Sequence, residues 1–423
     1  MSFDGKVLIA GAGLAGLALA NVLQHHGIPY EIFERDTDAD ARDQGFSLNI
    51  HFCLEPLGKS IDPAKFSKFG HSCAVDPEHP ENARVRLIDG MTSKYIDDQD
   101  PARRKKVDQN INIYRVCRSR LRSWLMQGID VQWNKQIDRY TATPGDVRVT
   151  FTDGSQAVGS VLVGADGVNS AVCEQLLGPE EFRKCTATNP VSTVSATYWM
   201  DQSTRDIYAK FAKTHMIVVG RYQELFVRMF VSLVDVDRTA GHDKPRYKMM
   251  WLVSCIDPGY QPAPEQITPQ RLLDRAKTLV NQFDAPFRNL VHNTPEDAPV
   301  NRWVLRERSP PAILETHPEY DRVVLIGDAA HAMTPYKGEG GNHAMLDAVL
   351  LGNALKDARN GVKTLKDAVD DFYNEMLPRT RKAVAASHDA SIKMHGPPEQ
   401  VNQLLQKTLN QYKERPQELK HIM

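Results

Sequence analysis

Three short apolar runs, far apart in the chain, are each followed by a turn and then by a helical pattern. They occupy residues 6–10, 160–164 and 322–326, and glycine or aspartate occurs in each of the turns that follow them. Continuous runs of this kind are typical of parallel strands that are buried on both faces. Strand, turn and helix in this order indicate an α/β fold of the Rossmann type, in which ligands bind beyond the carboxyl ends of the strands.

The turn after the first run has the spacing of a dinucleotide-binding motif. Gly11, Gly13 and Gly16 form a G-x-G-x-x-G pattern, with Leu14 and Ala15 inside it at the start of the following helix. In this motif the glycines allow a tight turn and a close approach of the backbone to a pyrophosphate group. The pattern therefore predicts nucleotide binding at this turn.

The next apolar run, residues 30–33, ends at Glu34 and Arg35. Glu34 follows Gly16 by 18 residues, close to the spacing of about 20 expected for the acid that binds a ribose. A carboxylate suits a ribose 2′-hydroxyl and repels a 2′-phosphate. This site is therefore predicted to hold FAD or NAD rather than NADP.

The other two runs lead into acidic turns. Asp166 follows the middle run, and Gly327 and Asp328 follow the last one. Asp328 is placed to accept hydrogen bonds from sugar-like hydroxyl groups. Downstream of it, a proline stiffens the loop, and glycines leave backbone amides open to a planar ring with an anionic edge at a helix start. These candidate residues are Pro335, Gly338, Gly340, Gly341 and Asn342.

With these motifs the chain resembles the class A flavoprotein monooxygenases, typified by para-hydroxybenzoate hydroxylase, salicylate hydroxylase and the tetracycline-inactivating hydroxylases. The resemblance covers nearly the whole chain. The G-E-G-G-N-H-A segment at 338–344 is most similar to fungal members of secondary metabolism. The resemblance implies that the first turn and Glu34 bind the ADP half of FAD, that Asp166 serves FAD and the nicotinamide donor, and that Asp328 lies at the ribityl end.

Two further elements match motifs of that family. Arg118 begins an R-x-x-L-R helix start, and the resemblance implies that it reaches the flavin chain. Arg42 and Gly45 match an R-x-x-G element that leads the chain past the isoalloxazine toward the substrate. The implied reaction uses NADPH or NADH as a transient donor, O2, and a flavin C4a-hydroperoxide that passes one oxygen atom to an aromatic, enol, indole or alkene carbon. Hydroxylation, epoxidation and Baeyer-Villiger insertion stay open, and the sequence identifies no catalytic side chain.

The chain departs from the family pattern at two positions. The middle block normally ends in arginine, but Cys173 stands there, which leaves the nicotinamide contact open. Glu339 stands where many members have glutamine. A carboxylate beside the flavin is costly unless it is neutralised or turned away, and Lys337 is the candidate partner.

Other functions fit the sequence less well. A flavin-dependent halogenase shares the first motif, but the chain has no W-x-W-x-I-P segment. A flavin dehydrogenase or reductase without oxygen insertion is the main alternative. A binding protein of the same fold without a cofactor is disfavoured because Glu34, Asp166 and Asp328 are all retained.

Composition points to an enzyme acting on a small molecule. Lys and Arg total 52 against 53 for Asp and Glu, so no bulk charge favours nucleic acid. No apolar run approaches the ~20 residues that cross a bilayer, and we expect no transmembrane segment and a cytoplasmic location. Six scattered cysteines fit neither a disulfide framework nor a metal site.

The positions of the motifs predict a discontinuous FAD-binding domain with a second, sheet-containing domain inserted into it. The predicted units are the FAD-binding domain at 1–50, 110–180 and 321–355, a connecting and substrate-side segment at 51–109, a mixed β-sheet substrate domain at 186–308, and a C-terminal helical region at 356–423. Residues 365–394 are expected to form a long helix that is kinked or interrupted at Pro378.

Overall fold

The computed structural model describes residues 5–41, 46–79, 85–96, 113–239, 244–315 and 322–418, with side chains described up to residue 408. The strands are β1 (Val7–Ala10), β2 (Tyr30–Phe33), β3 (Ser47–Ile50), β4 (Val85–Asp89), β5 (Tyr114–Cys117), β6 (Val131–Gln132), β7 (Ile137–Ala142), β8 (Val147–Phe151), β9 (Gln156–Gly159), β10 (Val161–Gly164), β11 (Thr186–Thr188), β12 (Val191–Met200), β13 (His215–Tyr222), β14 (Leu225–Asp237), β15 (Arg246–Ile256), β16 (Val300–Asn301), β17 (Arg306–Arg308) and β18 (Val323–Leu325).

Helices lie between these strands and after them. They are α1 (Leu14–His25), α2 (Leu54–Ser60), α3 (Pro63–Phe66), α4 (Phe69–Cys73), α5 (Arg118–Met126), α6 (Ala171–Leu177), α7 (Pro179–Cys185), α8 (Gln202–Ala209), α9 (Pro269–Leu279), α10 (Ala285–His292), α11 (Asp328–His331), α12 (Gly340–Arg359), α13 (Leu365–Lys393) and α14 (Pro398–Glu418). Short 3-10 turns occur at Pro264–Gln266, Ala312–Glu315 and Pro335–Lys337.

The three apolar runs of the sequence meet in one parallel sheet, as predicted. Its strand order is β18-β10-β1-β2-β6, and every neighbouring pair is parallel. Strands β1, β10 and β18 are buried along their whole length. This agrees with their continuous apolar sequences, because helices cover both faces of such a sheet. The α/β fold class is confirmed, and the carboxyl ends of three strands from distant parts of the chain lie side by side.

A second, six-stranded sheet has the order β16-β12-β15-β14-β13-β4. Strands β12 to β15 pair antiparallel in the sheet predicted within 186–308. Strand β4 comes from the connecting segment at 51–109 and pairs parallel with β13. Apolar residues of α9 and α10 share a core with one side of this sheet. Ile217 and Val219 of β13 belong to a separate apolar cluster. There they pack with Tyr336, from the 3-10 turn at Pro335–Lys337, and with Met394, the residue after α13.

The C-terminal region is helical, as predicted. Its long helix α13 runs from Leu365 to Lys393 without an interruption at Pro378, where the sequence predicted a kink or an interruption. Thr364 caps its start by accepting a hydrogen bond from the amide of Asp367. Buried residues along α13, such as Met376 and Val384, fix the helix against the body of the protein, so packing maintains a helix that proline alone would disfavour. The boundaries of the proposed domains stay a prediction.

Candidate cofactor and substrate site

Helices α1 and α12 begin close together at the carboxyl edge of the parallel sheet. A Cβ added to Gly327, in the turn after β18, would lie 3.1 Å from the Cβ of Ala15 and 3.2 Å from that of Ala344. A Cβ added to Gly341 would lie 3.8 Å from the side chain of Leu14. The first-turn amides of a helix have no acceptor within the helix and carry the positive end of its dipole. Two such ends are therefore available here to an anionic ligand.

The glycines of the first turn differ in what surrounds them. A Cβ at Gly16 would lie 2.0 Å from the carbonyl oxygen of Gly11, so the helix could not stay against the turn. Gly11 itself has a φ of +103°, which side-chain-bearing residues rarely adopt. Among the described residues, no atom lies within 4 Å of a Cβ built at Gly13. Gly13 thus faces open space where a pyrophosphate would need a close approach to the backbone.

A cavity of about 350 Å³ lies beside this turn. It brings together six residues that the sequence predicted for the cofactor, namely Gly11, Gly13, Glu34, Arg35, Arg118 and Asp166. The remaining predicted residues lie elsewhere. Leu14, Ala15 and Gly16 are buried below the turn, and Pro335 and Gly338 line a second cavity described below. Arg42 and Gly45 lie outside the described residues.

Glu34 is buried at the end of β2, and its carboxylate fixes the turn. One oxygen accepts a hydrogen bond from the amide of Ala12 at 2.9 Å, and the other from the amide of Asp36 at 3.2 Å. The carbonyl oxygen of Ala12 accepts a hydrogen bond from Nε of Arg122 at 2.9 Å. Arg122 was not among the predicted site residues, although it is the last residue of the R-x-x-L-R motif. It supports the turn from below, whereas Arg118 lines the cavity.

Asp166 lies in the cavity wall and organises the start of α6. Its carboxylate accepts hydrogen bonds from the hydroxyl of Ser170 at 2.5 Å and from the amide of Ala171 at 2.8 Å. Burial raises the pKa of Asp166, while these hydrogen bonds act in the opposite direction. The carboxylate thus shapes the wall of the cavity, and a direct contact with the cofactor stays a prediction.

Cys173, at the position where the family has arginine, is buried. A different arginine lies nearby: the guanidinium of Arg308, on β17, donates to the carbonyl oxygens of Val168 at 2.6 Å and of Ala329 at 2.8 Å. Arg308 therefore ties the turn after β10 to the turn after β18. Its charge also acts on Cys173, whose pKa is raised chiefly by burial. One feature of the sequence could have indicated Arg308: it is a charged side chain in the segment that leads back toward the parallel sheet.

Asp328 follows β18 and is exposed to solvent in a recess of the protein. The surrounding protein limits hydration of its carboxylate and raises its pKa, whereas the charges of His331, Arg118 and Arg308 lower it. Arg118, whose charge lowers the pKa of Asp328, also lines the cavity beside the first turn. An accessible carboxylate at this place can accept hydrogen bonds from ligand hydroxyl groups.

A network of buried charged groups lies beneath the turn after β18, and we call it the buried ion network. Asp347 accepts hydrogen bonds from the amide of Gly327 at 2.9 Å, from His331 at 2.5 Å and from Arg379 at 2.8 Å. Arg379 also contacts Glu375 at 2.7 Å and His343 at 2.7 Å. Burial alone would raise the pKa of Asp347, but His331 and Arg379 outweigh it and hold the pKa well below its ordinary value. The network fixes α12 and α13 to the turn after β18.

His343 gives this network a pH dependence. Burial, with the charges of Arg379 and His331, lowers the pKa of His343 to about 4. Below about pH 6.5, its ordinary pKa, the unfolded chain binds a proton that the folded protein does not bind until about pH 4. Acidification across this window must therefore favour unfolding.

We expect the free energy of unfolding to fall between pH 6.5 and pH 4, with His343 contributing at most about 1.4 kcal/mol per pH unit. Urea unfolding at a series of pH values measures this slope. His343→Gln should flatten it, whereas His292→Gln, at an exposed position in the last turn of α10, should leave it unchanged. An equal slope in the protein and in His343→Gln would contradict the assignment.

The start of α12 is tied to the rest of the site by two side chains. Asn342 is fully buried, and its oxygen accepts a hydrogen bond from the amide of His51 at 2.8 Å while its nitrogen donates to the carbonyl of Asn49 at 2.8 Å. The side chain of Asn342 thus joins α12 to the end of β3. The backbone amide of Asn342 takes no part in this contact and lies in the first turn of α12. Glu339 is 1% exposed and lies 3.3 Å from Nζ of Lys337, the partner that the sequence predicted.

A second cavity, of about 170 Å³, lies between the six-stranded sheet and the 3-10 turn at Pro335–Lys337. Apolar side chains form much of its wall, including Ile217, Phe230, Met250, Leu252, Trp303 and Leu305. Polar side chains also line it, among them Arg115, His215 and Arg228. A concave site with a largely apolar wall is suited to an organic substrate.

The residues present fit a flavin nucleotide. Gly13 leaves open the space that a pyrophosphate needs, Glu34 is placed for a ribose, and Asp328 is accessible for a polyol chain. Among the described residues there is no cluster of three or more His, Cys, Asp or Glu side chains suited to a metal ion. No helix in the described ranges has the length and hydropathy required to span a bilayer.

Comparison with known proteins agrees with this fit. Residues 120–387 match the family model described as FAD binding domain. The chain is 31% identical to the FAD-dependent monooxygenase thnD of Trichoderma harzianum, over 90% of this chain and 92% of that protein. It is 32% identical to the FAD-dependent monooxygenase dbaB of Emericella nidulans, over 82% and 86% of the two chains.

The fold also matches solved structures. The crystal structure of Klebsiella pneumoniae HpxO, complexed with FAD and uric acid, superimposes with a TM-score of 0.70 at 20% identity, covering 97% of this chain and 92% of that one. At this level of identity the match concerns the fold. The family model and the curated relatives show the family: the chain belongs to the class A FAD-dependent monooxygenases and is an oxidoreductase that uses FAD.

Proposed function

We propose that this enzyme uses NADPH or NADH and O2 to insert one oxygen atom into an electron-rich organic substrate. The observation that supports the proposal most directly is a pair of cavities next to segments that follow the parallel strands, one beside the turns after β1 and β10 and one at the loop after β18. One cavity has the groups that suit a dinucleotide, and the other is apolar and lies at the loop that precedes α12. The substrate would be an aromatic, enol, indole or alkene compound.

Each part of the cofactor would have its own group of residues. Glu34 and Arg35 would bind the adenosine end, and the turn of Gly11, Gly13 and Gly16 the pyrophosphate. Asp328 and Arg118 would hold the polyol chain. The amides of Gly340, Gly341 and Asn342 at the start of α12 would stabilise negative charge on the ring edge. Arg42 and Gly45 are proposed to lie along the ring, by family resemblance.

Bound FAD would supply the redox chemistry, namely transfer of a hydride equivalent from the nicotinamide donor and activation of O2, with one oxygen atom entering the product and the other leaving as water. The protein's contribution is to position the substrate and exclude water. The apolar side chains of the second cavity provide a dry site, and Pro335 with Tyr336 forms part of its floor. The nicotinamide donor would bind transiently. Six free cysteines fit a reducing compartment, and we propose a cytoplasmic location.

The test is the visible absorption spectrum of the purified protein without oxygen, before and after NADPH or NADH is added, and again in air. We expect a flavin spectrum that bleaches with a donor and recovers with oxygen. Mass spectrometry of product formed under ¹⁸O2 then shows whether one labelled atom enters the substrate. A flavin that reduces and transfers electrons without incorporation of label would show a dehydrogenase, and protein that cannot take up FAD would overturn the proposal.

A further inference from the structure

We propose that the substrate of this enzyme carries an anionic oxygen, a carboxylate or an ionised hydroxyl group on an aromatic or conjugated ring, which pairs with Arg228 inside the second cavity. The inference rests on the proposed function, since it assigns the substrate class of the same site. It would exclude neutral alkenes and indoles from the substrates named above.

Arg228 is the central observation. It belongs to β14 in the middle of the six-stranded sheet, lines the cavity and is only 6% exposed. Its guanidinium lies 4.9 Å from the centre of the Tyr336 ring and 5.6 Å from that of Phe230. In the part of the chain that the structure describes, no group accepts a hydrogen bond from its side chain, and Nε is fully shielded from solvent. Arginine keeps its charge inside proteins.

A second guanidinium supports the first. Arg115, on β5, also lines the cavity, and it lies 5.4 Å from the centre of the Phe230 ring. Phe230 is therefore close to both charges. Arg115 donates to two neutral oxygens, those of Asn49 at 3.1 Å and Ser232 at 2.8 Å. Burial lowers its pKa to about 9, so it is still protonated at neutral pH.

The part of the cavity wall that the structure describes has no negatively charged side chain. The described lining residues include Arg115, Arg228 and Lys337 but neither aspartate nor glutamate. Lys337 has Glu339 as a partner behind the wall, whereas no salt bridge is formed by either arginine within the described ranges. His215 adds no negative charge, and burial together with Arg115 lowers its pKa well below the ordinary value. A buried charge without a counter-ion is costly, and an anionic substrate would supply the counter-ion.

A neighbouring cavity carries charge of the same sign. It has a volume of about 270 Å³ and shares Lys337 and Thr408 with the second cavity. Its lining includes three lysines, Lys337, Lys393 and Lys407, against one aspartate, Asp389. Positive charge beside a binding site raises the local concentration of anions. The apolar wall then selects among them, because the volume of the second cavity is similar to that of an engineered cavity of about 150 Å³ that binds benzene.

The experiment compares matched probes on the oxidised, FAD-loaded enzyme. The probes are benzoate and 2-naphthoate, each with its neutral amide, and 4-nitrophenol on either side of its own ionisation. Binding is followed by the change in the flavin absorption spectrum and by the thermal unfolding midpoint. We expect at least one anion to bind about 10-fold or more tighter than its neutral partner. A preference for nitrophenolate over the carboxylates would identify an ionised hydroxyl, and the reverse a carboxylate.

Variants then locate the charge. Arg228→Gln should weaken binding of the anion about 10- to 100-fold while it changes binding of the neutral partner less than about 3-fold. Arg115→Gln should show a smaller effect of the same kind. Arg148→Gln removes a charge from the exposed face of β8 and should change neither. The comparison of charged and neutral probes needs no variant, so it holds even if Arg228→Gln does not fold.

Three results would overturn the inference: neutral partners that bind as tightly as the anions, an Arg228→Gln variant that weakens both equally, or no effect of any anion on the spectrum or the unfolding midpoint. FAD content and reduction by NADPH are measured on the same preparation. Failure of those two readings would count against the proposed function, whereas normal readings without discrimination between charged and neutral probes would count against the substrate class alone.

Discussion

Asp347→Asn is expected to lower the free energy of unfolding by about 3–5 kcal/mol, because it removes the negative charge that pairs with the buried side chains of His331 and Arg379. Asp347 is fully buried and accepts hydrogen bonds from His331, Arg379 and the amide of Gly327. Without its charge, Arg379 keeps Glu375 but loses its deeper partner, and the turn after β18 loses its anchor. Since Asp328 belongs to that turn, retention of FAD should fall as well.

Urea unfolding of the FAD-free protein measures the stability change, and flavin absorbance after gel filtration measures retention. Asp389→Asn is the matched control, because it removes the same charge from an exposed pair with Lys393 on the same helix, α13. We expect a change of less than about 1 kcal/mol there. If Asp347→Asn were as stable as Asp389→Asn, the buried ion network would not stabilise the fold.

Gly16→Ala and Gly13→Ala should separate folding from cofactor binding. At Gly16 the new methyl group would lie 2.0 Å from the carbonyl oxygen of Gly11, so α1 must move away from β1. The free energy of unfolding should fall by about 1–3 kcal/mol. At Gly13 the backbone is extended, with φ −81° and ψ −170°, and no described atom is near the new methyl group. The stability of the FAD-free protein should change by less than about 1 kcal/mol.

For Gly13→Ala we expect FAD affinity to fall about 10- to 100-fold, since the methyl group would keep the pyrophosphate from the amides of the turn. Fluorescence titration of the FAD-free protein measures this affinity. A variant with unchanged affinity would show that the pyrophosphate does not approach Gly13. A Gly16→Ala variant with normal stability would mean that α1 can shift without cost.

The parallel sheet could be predicted because its determinants are local. Residues 6–10, 160–164 and 322–326 each carry the apolar pattern and the turn residues of their own strand, and the rule for doubly wound folds then brings their ends together. Glu34 was predicted for the same reason, since its distance from Gly16 is fixed by one helix and one strand. The short strand β6, with only two residues, has no comparable pattern.

The buried ion network and the two cavity arginines could not be predicted, because their partners are distant in sequence. Asp347 and Arg379 are 32 residues apart and meet only when α12 and α13 pack together. Each of these residues did leave a signal. Asp347 interrupts the apolar sequence of α12, and Arg228 interrupts that of β14. A charge within an apolar element shows that a polar group is buried, but the partner follows only from the tertiary structure.

The order of strands in the parallel sheet has a consequence for biosynthesis. Strand β10 lies between β1 and β18, so the cofactor site needs three segments that are far apart in the chain and that the ribosome makes one after another. Such long-range pairing is slow to form. A nascent chain that ends before β18 has no Asp328 and no α12, and we expect it to have no affinity for FAD. Binding of FAD should therefore indicate that folding is complete. In cells short of riboflavin, we expect the full-length protein without FAD to accumulate.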